Sequence, residues 1–130
     1  MQQPKQISQD FIVLSPDKQA FVERADASLF QRLDTVYNNF AGHELVSCYE
    51  FDADWSSWEM HPHGDEIVML IYGEVTFILK TDTDDTTMVL TEQGQYVIVP
   101  KGIWHTAKTL VKSKLLFITP GQGTQHRANV

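Results

Sequence analysis

Glu59, His61, His63, Asp65 and Glu66 crowd into one short stretch of the chain, and His105 stands alone well downstream. Imidazole nitrogens and carboxylate oxygens together make a donor set for Mn, Fe, Ni or Zn. A local acid-and-histidine cluster plus one distant histidine is how an antiparallel barrel assembles such a site. Neighbouring strands supply several ligands and a later strand closes the cage. Each residue also has a plainer use. Glu66 can anchor a loop by hydrogen bonds. Pro62 and Gly64 flank His63 and break the strand there, so His63 reads as a solvent-facing loop residue, and Asp65 as the cap of that turn. His43 and His126 read as ordinary surface residues, and Cys48 as a small core residue without the cationic setting of a reactive thiol. Tyr49, Trp55, Trp58, Met60 and Trp104 are candidates to line an apolar pocket, although filling a core is the commoner use of such side chains.

The elements that must position these groups are mostly strands. Phe11 to Leu14 reads as a short strand stopped by Ser15-Pro16-Asp17, with a second extended piece at Gln19 to Arg24. Phe30, Leu33 and Tyr37 then fall at helical spacing, with Asp26 or Ser28 as N-cap and an end near Asn38-Asn39. From about His43 onward the pattern is β. Leu45, Ser47, Tyr49 and Phe51 alternate with Val46, Cys48 and Glu50. Ile67 to Tyr72 is nearly continuous apolar, as in a strand covered on both faces. Val75, Phe77 and Leu79 alternate with Thr76, Ile78 and Lys80, and Thr81 to Thr87 turns the chain into Met88 to Leu90. Tyr96 to Val99 and Leu115 to Thr119 complete the strands. Short strands punctuated by Gly, Pro and Asp at this spacing predict a sandwich or barrel.

Composition bounds the rest. A chain of 130 residues with 42% hydrophobic residues has the size and apolar content of one ordinary domain. A frayed polar N-terminus over 1–9 and a single domain over 10–130 are expected. No apolar run approaches the roughly 18 residues of a membrane span. The polar stretch Met1 to Ser8 lacks a signal-peptide core, and the lone Cys48 cannot form an intrachain disulfide, so a cytoplasmic location is expected. A net charge of −7 argues against nucleic acid and against an anionic membrane surface as partners. Asp82, Asp84 and Asp85 read as a solvated hairpin turn, since the glycine and distal glutamate of a calcium loop are missing.

Gly94, Pro100, Gly102 and His105 have the spacing G-x5-P-x-G-x2-H, which resembles the second motif of the cupins; where that motif goes on to an asparagine, this chain has Thr109. The first cupin motif, G-x5-H-x-H-x3–4-E-x6-G, is matched at its end by Glu66 and Gly73. Two frames are open upstream. In one, His61 and His63 are the paired histidines, but the gap to Glu66 is a residue short. In the other, preferred for its allowed spacing, His61 is the second histidine, Glu59 replaces the first, and Ala53 stands where the motif has glycine. The resemblance covers about residues 43–120. More closely, Trp58 to Glu66 looks like a small bacterial cupin group related to the cupin portion of a zinc-binding anti-sigma factor.

The resemblance implies an all-β fold, the cupin double-stranded β-helix or jelly-roll barrel, with one short N-terminal helix. It implies one divalent metal ion held by Glu59, His61, Glu66 and His105, with His63 the alternative to Glu59. Tyr49, Trp58, Met60 and Trp104 would line a pocket for a small organic molecule. The expected function is metal-dependent small-molecule binding or catalysis of the dioxygenase, isomerase or decarboxylase class. The alternative is a non-catalytic sensor or a cupin that binds its ligand without metal. Similar domains commonly pair through their N-terminal strands, so a homodimer is expected.

Overall fold

Apolar residues at every second position make strands that bury one face, and the chain follows that rule from Asp10 onward. The computed structural model describes residues 3–128. In chain order its elements are β1 (Asp10–Leu14), β2 (Ala20–Arg24), α1 (Leu29–Val36), β3 (Glu44–Phe51), β4 (Ser57–Met60), β5 (Glu66–Tyr72), β6 (Val75–Lys80), β7 (Asp85–Leu90), β8 (Tyr96–Val99), β9 (His105–Lys108), β10 (Ser113–Thr119) and β11 (Gln125–Ala128). They form a six-stranded sheet in the order β2-β1-β3-β10-β5-β8 and a five-stranded sheet in the order β11-β4-β9-β6-β7. All pairings are antiparallel. From β3 to β10 the chain crosses between the sheets at every connection except the β6–β7 hairpin, in the order of a jelly roll, and β1, β2 and β11 extend the edges.

The facing sides of the sheets make the core. Val68, Leu70, Val75, Phe77, Leu115 and Phe117 are buried there. A second cluster under α1 holds Phe11, Val13, Leu29, Leu33, Phe40 and Leu45. The helix corrects one expectation: Leu29 and Leu33 form its buried stripe, while Phe30 is 63% exposed. The helical spacing was legible, but the face is rotated by one residue because Leu29, one turn before Leu33, packs inward. Ser28 holds the N-cap position without a side-chain cap bond; instead Asp26 Oδ1 accepts the Ser28 backbone N–H at 3.1 Å. Asn38, Asn39 and Phe40 then adopt left-handed φ values of 54°, 53° and 61°, which stop the helix and drive Phe40 into the core.

The turn after β6 is shorter than the Thr81–Thr87 expected from composition, since β7 begins at Asp85. The strand expected at Leu115–Thr119 starts earlier, at Ser113. A frayed segment over 1–9 falls partly on Met1 and Gln2, outside the described residues. Gln6 closes a turn whose carbonyl accepts the N–H groups of Gln9 and Asp10. No helix among the described residues is long and apolar enough to cross a membrane.

The outer face of the six-stranded sheet is unusual for a sheet with one wet side. Val22, Ile12, Val46, Ile118, Ile67 and Ile98 are register partners in one row across all six strands. Cys48, Leu116, Met69 and Tyr96 form the next row. Val22 and Ile98 are each 50% exposed and Tyr96 59%.

At the end of the barrel where β5 turns into β6, Gly73 is in register with no room to spare. Its φ is 98°, and an added Cβ would lie 2.6 Å from Ser113 Cα and would also collide with Ser113 Oγ. Ser113 and the buried Thr109 bind the same turn: Thr109 Oγ1 lies 2.6 Å from the Glu74 carbonyl, and Ser113 Oγ accepts the Glu74 N–H at 3.1 Å. Thr109 thus serves as a turn anchor where the cupin motif has asparagine. Gly73→Ala should cost about 3 kcal/mol or more, the sum of a left-handed strain and a backbone clash. Urea unfolding measures it; a loss below about 1 kcal/mol would mean that the turn relaxes freely.

Candidate metal centre

Three strands from both sheets bring the acid and histidine groups together. Glu66 opens β5 in the larger sheet, His105 opens β9 in the smaller, and His61 directly follows β4. Glu59 on β4 is the register partner of His105 on β9, so their side chains share the inward face. Glu66 stands between the two imidazoles: its Oε1 is 3.2 Å from His105 Nε2 and its Oε2 is 3.3 Å from His61 Nε2. One donor atom each from Glu59, His61 and His105 lies within 4.8 Å of the others. This Glu/His/His group can hold a metal ion.

The outer nitrogens fix the inner ones. His105 Nδ1 lies 3.2 Å from the Ile103 carbonyl, which only accepts, so Nδ1 carries the proton. Thr124 spends its hydroxyl proton on the Gly121 carbonyl at 3.0 Å and therefore accepts from His61 Nδ1–H at 2.8 Å. In its neutral form each imidazole therefore aims an Nε2 lone pair inward. Among the described residues, His61 Nε2, His105 Nε2 and Glu66 Oε1 are buried side-chain atoms without a hydrogen-bond partner, because their mutual approaches lie outside hydrogen-bond geometry. Three orphaned donors converging on one point fit a cation. Thr119 Oγ1–H donates to Glu66 Oε2 at 2.6 Å and orients the carboxylate.

The loops are tied as firmly. Gly102 N–H donates to the His61 carbonyl at 2.9 Å, and Lys101 N–H donates to Asp65 Oδ1 at 2.8 Å. Asp65 therefore caps a turn, but the turn preceding β9 rather than its own. Gly94 and Gly102 take φ values of 90° and 81°, the left-handed conformations their motif positions require.

The other predicted residues separate. His63 is exposed on the turn after β4, beside Gly123, and is not among the residues that converge. A cavity of about 780 Å³ opens over Glu59, His61 and Glu66, and Tyr49 and Trp55 line it. Trp58, Met60 and Trp104 are not among its lining residues, which corrects the pocket expectation. Glu59 faces inward on β4, so strand alternation turns Trp58 and Met60 away. Trp58 lies under Lys80 Nζ at 5.3 Å, and Trp104 under the Arg127 guanidinium at 4.3 Å. The residues that sequence reasoning missed are on or near β11. His126 Nε2 is 3.3 Å from Glu59 Oε1, and Thr124 orients His61. No apolar alternation marks β11, whose four residues are all exposed; only its pairing with β4 defines it.

No family model matches the chain, and no curated protein matches it by sequence. Solved structures do. An oxalate oxidase superposes with a TM-score of 0.54 at 15% identity, over 62% of this chain and 44% of its own. Peruvianin-I, a cysteine peptidase from Thevetia peruviana latex, gives 0.55 at 16% identity, over 67% and 57%. A cupin superfamily protein from Desulfitobacterium hafniense gives 0.49 at 23% identity, over 58% and 65%. The chain therefore matches less than half the length of that oxalate oxidase. At these identities the likeness is one of fold. Taken with the strand order, the fold is an all-β jelly roll of two antiparallel sheets, similar to that of the oxalate oxidase.

Charge at the centre is strongly coupled. Burial pushes the Glu66 carboxyl up, but the flanking imidazoles of His105 and His61 outweigh it and hold it down at about 2. Burial pushes His105 down, and the Glu66 carboxylate outweighs that and raises it above its ordinary value. Glu66, with an unfolded value of 4.5, contributes stability in full above that pH and loses it as pH falls towards 2. His105, with an unfolded value of 6.5, contributes in full below that pH and loses it as pH rises through its raised folded value. Chelator-treated protein should therefore show its highest melting temperature between pH 4.5 and 6.5. Glu66→Gln should flatten that maximum and cost about 2 kcal/mol within the window. A wild-type profile flat from acid to neutral pH would show that the pair is not coupled in the folded state.

Proposed function

We propose that this chain is a metal-binding cupin that holds one divalent ion through Glu59, His61, Glu66 and His105 and takes a small organic molecule in the adjoining cavity. The observation that carries the reading is the set of orphaned buried atoms, His61 Nε2, His105 Nε2 and Glu66 Oε1, whose partner nitrogens are already committed to Thr124 and Ile103. Two nitrogens and two carboxylate oxygens suit Mn, Fe or Ni and tolerate Zn. When bound, such an ion supplies Lewis acidity or an oxygen-activating centre. His61 and His105 present preset lone pairs, Glu66 supplies the buried negative charge, and Glu59 supplies a half-exposed carboxylate at the cavity side. The catalytic form of this reading is a dioxygenase, isomerase or decarboxylase; the fold alone does not choose among them. The lone buried Cys48 accords with a cytoplasmic setting.

A second reading is favoured by one observation. Glu66 lies 3.2 Å and 3.3 Å from the two Nε2 atoms, close enough for a metal-free imidazolium–carboxylate–imidazolium triad. The centre would then be a structural or sensory ion triad, a role with which the anti-sigma-like stretch Trp58 to Glu66 is consistent. Elemental analysis and calorimetric titration with Mn, Fe, Ni and Zn separate the two. The metal reading expects one ion per chain and a higher melting temperature with metal than with chelator. His105→Gln should weaken binding by at least the roughly 10–100-fold typical of losing an outer-sphere partner. Glu59→Gln should weaken it more than His63→Gln does. Binding abolished by His63→Gln and untouched by Glu59→Gln would transfer the fourth ligand to His63. No binding of any of the four metals would leave the triad.

We also propose that the apolar outer face of the six-stranded sheet is covered by a second copy of the chain. The in-register row from Val22 to Ile98 includes β1 and β2, and a self-complementary apolar face is what a twofold dimer uses. Light scattering should give twice the chain mass of 14.8 kDa, and Ile67→Lys, which puts a charge in the middle of the row, should return it to 14.8 kDa. A wild-type monomer at micromolar concentration would overturn this.

A further inference from the structure

The cavity over the candidate metal centre has a distinctive lining. Aromatic rings make its walls: the Trp55 centroid is 6.0 Å from that of Phe51 and 6.0 Å from that of Phe117, and Tyr49 adjoins Phe117 at the same spacing. Trp55 also meets the His105 ring edge-on at 6.3 Å, so the aromatic wall runs down to the centre. Phe30 of α1 belongs to the lining while remaining 63% exposed. Its exposed ring adds apolar surface to the cavity lining.

Carboxylates outnumber the basic side chains of the lining, which are the imidazoles of His61 and His126. Asp34, Glu50, Glu59 and Glu66 line the cavity, and among its described lining residues there is no lysine or arginine. Lys112 pairs with Glu50 at 3.3 Å from outside the lining, and Glu66 is matched by its imidazoles. Glu59 has the His126 imidazole at 3.3 Å, which leaves Asp34 as the lining carboxylate with no basic side chain paired to it. The Tyr49 phenol reports that field: burial first, and then the Glu59 charge, raise it above its ordinary range.

We infer that the cavity selects aromatic or other apolar ring molecules that carry no negative charge, and rejects carboxylates of the same shape. The inference rests on the small-molecule reading above and names its ligand class. An anion entering the cavity gives up hydration, meets carboxylates, and finds no guanidinium or ammonium to replace water. A neutral ring loses nothing comparable and gains the aromatic walls, and a cation gains the ring faces as well. An ion at the centre would add an attraction for anions, so the protein-made selectivity is read in its absence.

The test uses chelator-treated protein at about pH 8, above the ordinary histidine range of about 6.5. Calorimetric titrations compare naphthalene methanol, naphthylmethyl-trimethylammonium and naphthoate. The neutral and cationic probes should bind at least tenfold more tightly than naphthoate. Phe30→Ala should weaken the neutral probe severalfold without hollowing the core, which locates binding to this cavity. Asp34→Lys, on the exposed side of α1, should narrow the discrimination by strengthening naphthoate. Naphthoate binding as tightly as the neutral probe, or no saturable binding by any of the three, overturns the inference, as does indifference to both variants. Metal titration of the same preparation reports on the ion separately, so failure of the metal reading and failure of this one are distinct outcomes.

Discussion

The structure turns on one buried carboxylate. Glu66 is 2% exposed, and an isolated ion at that depth would be protonated or would unfold the site. It stays ionised because His61 and His105 reach it from the other sheet. That requirement fixes the relation of β4, β5 and β9 at the mouth of the barrel, since loss of either imidazole leaves a charge uncompensated. A cation at the same point meets the requirement equally well, through lone pairs instead of N–H groups. The protein has built a place where positive charge must sit.

The surroundings keep that place in register. Thr124 and the Ile103 carbonyl hold the outer nitrogens, Thr119 holds the carboxylate, and the loops that carry His61 and His105 are joined by one backbone bond and by one to the Asp65 carboxylate. None of these is strong alone, but each removes one rotation from a donor. At the other end Gly73, Ser113 and Thr109 close the barrel through contacts that tolerate no extra methyl group. The site is therefore carried by strands whose ends are pinned, and α1, with Phe30 exposed on it, adjoins the same cavity.

Much of this was legible in the sequence, and the reasons for the remainder are physical. Alternation in β3 and β6 named the inward residues, because each strand buries one face and period two reports that directly. The spacing from Gly94 to His105 was legible because turns demand particular φ values. The α1 face was misjudged by one residue: a short helix holding both Leu29 and Phe30 offers two apolar stripes, and only packing decides between them. Trp58 and Trp104 carried no sign of their true use, since an aromatic side chain looks alike under a lysine or beside a ligand. β11 was invisible because an exposed edge strand is defined by its partner's hydrogen bonds and needs no apolar pattern of its own.

The acidic balance of the whole chain and the lining of its cavity are two separate facts. A net charge of −7 sets a field that is screened over about 10 Å at ordinary salt and says little about any one site. Inside a cavity walled by Phe51, Trp55 and Phe117 the screening is weaker, and the few charges that remain dominate. There the chain places carboxylates and imidazoles but no lysine or arginine among the described lining residues. Positive charge enters only at the centre, where Glu66 demands it. Such a cavity separates two jobs that many sites combine: its walls recognise shape without attracting anions, and its floor alone can polarise a group that reaches it.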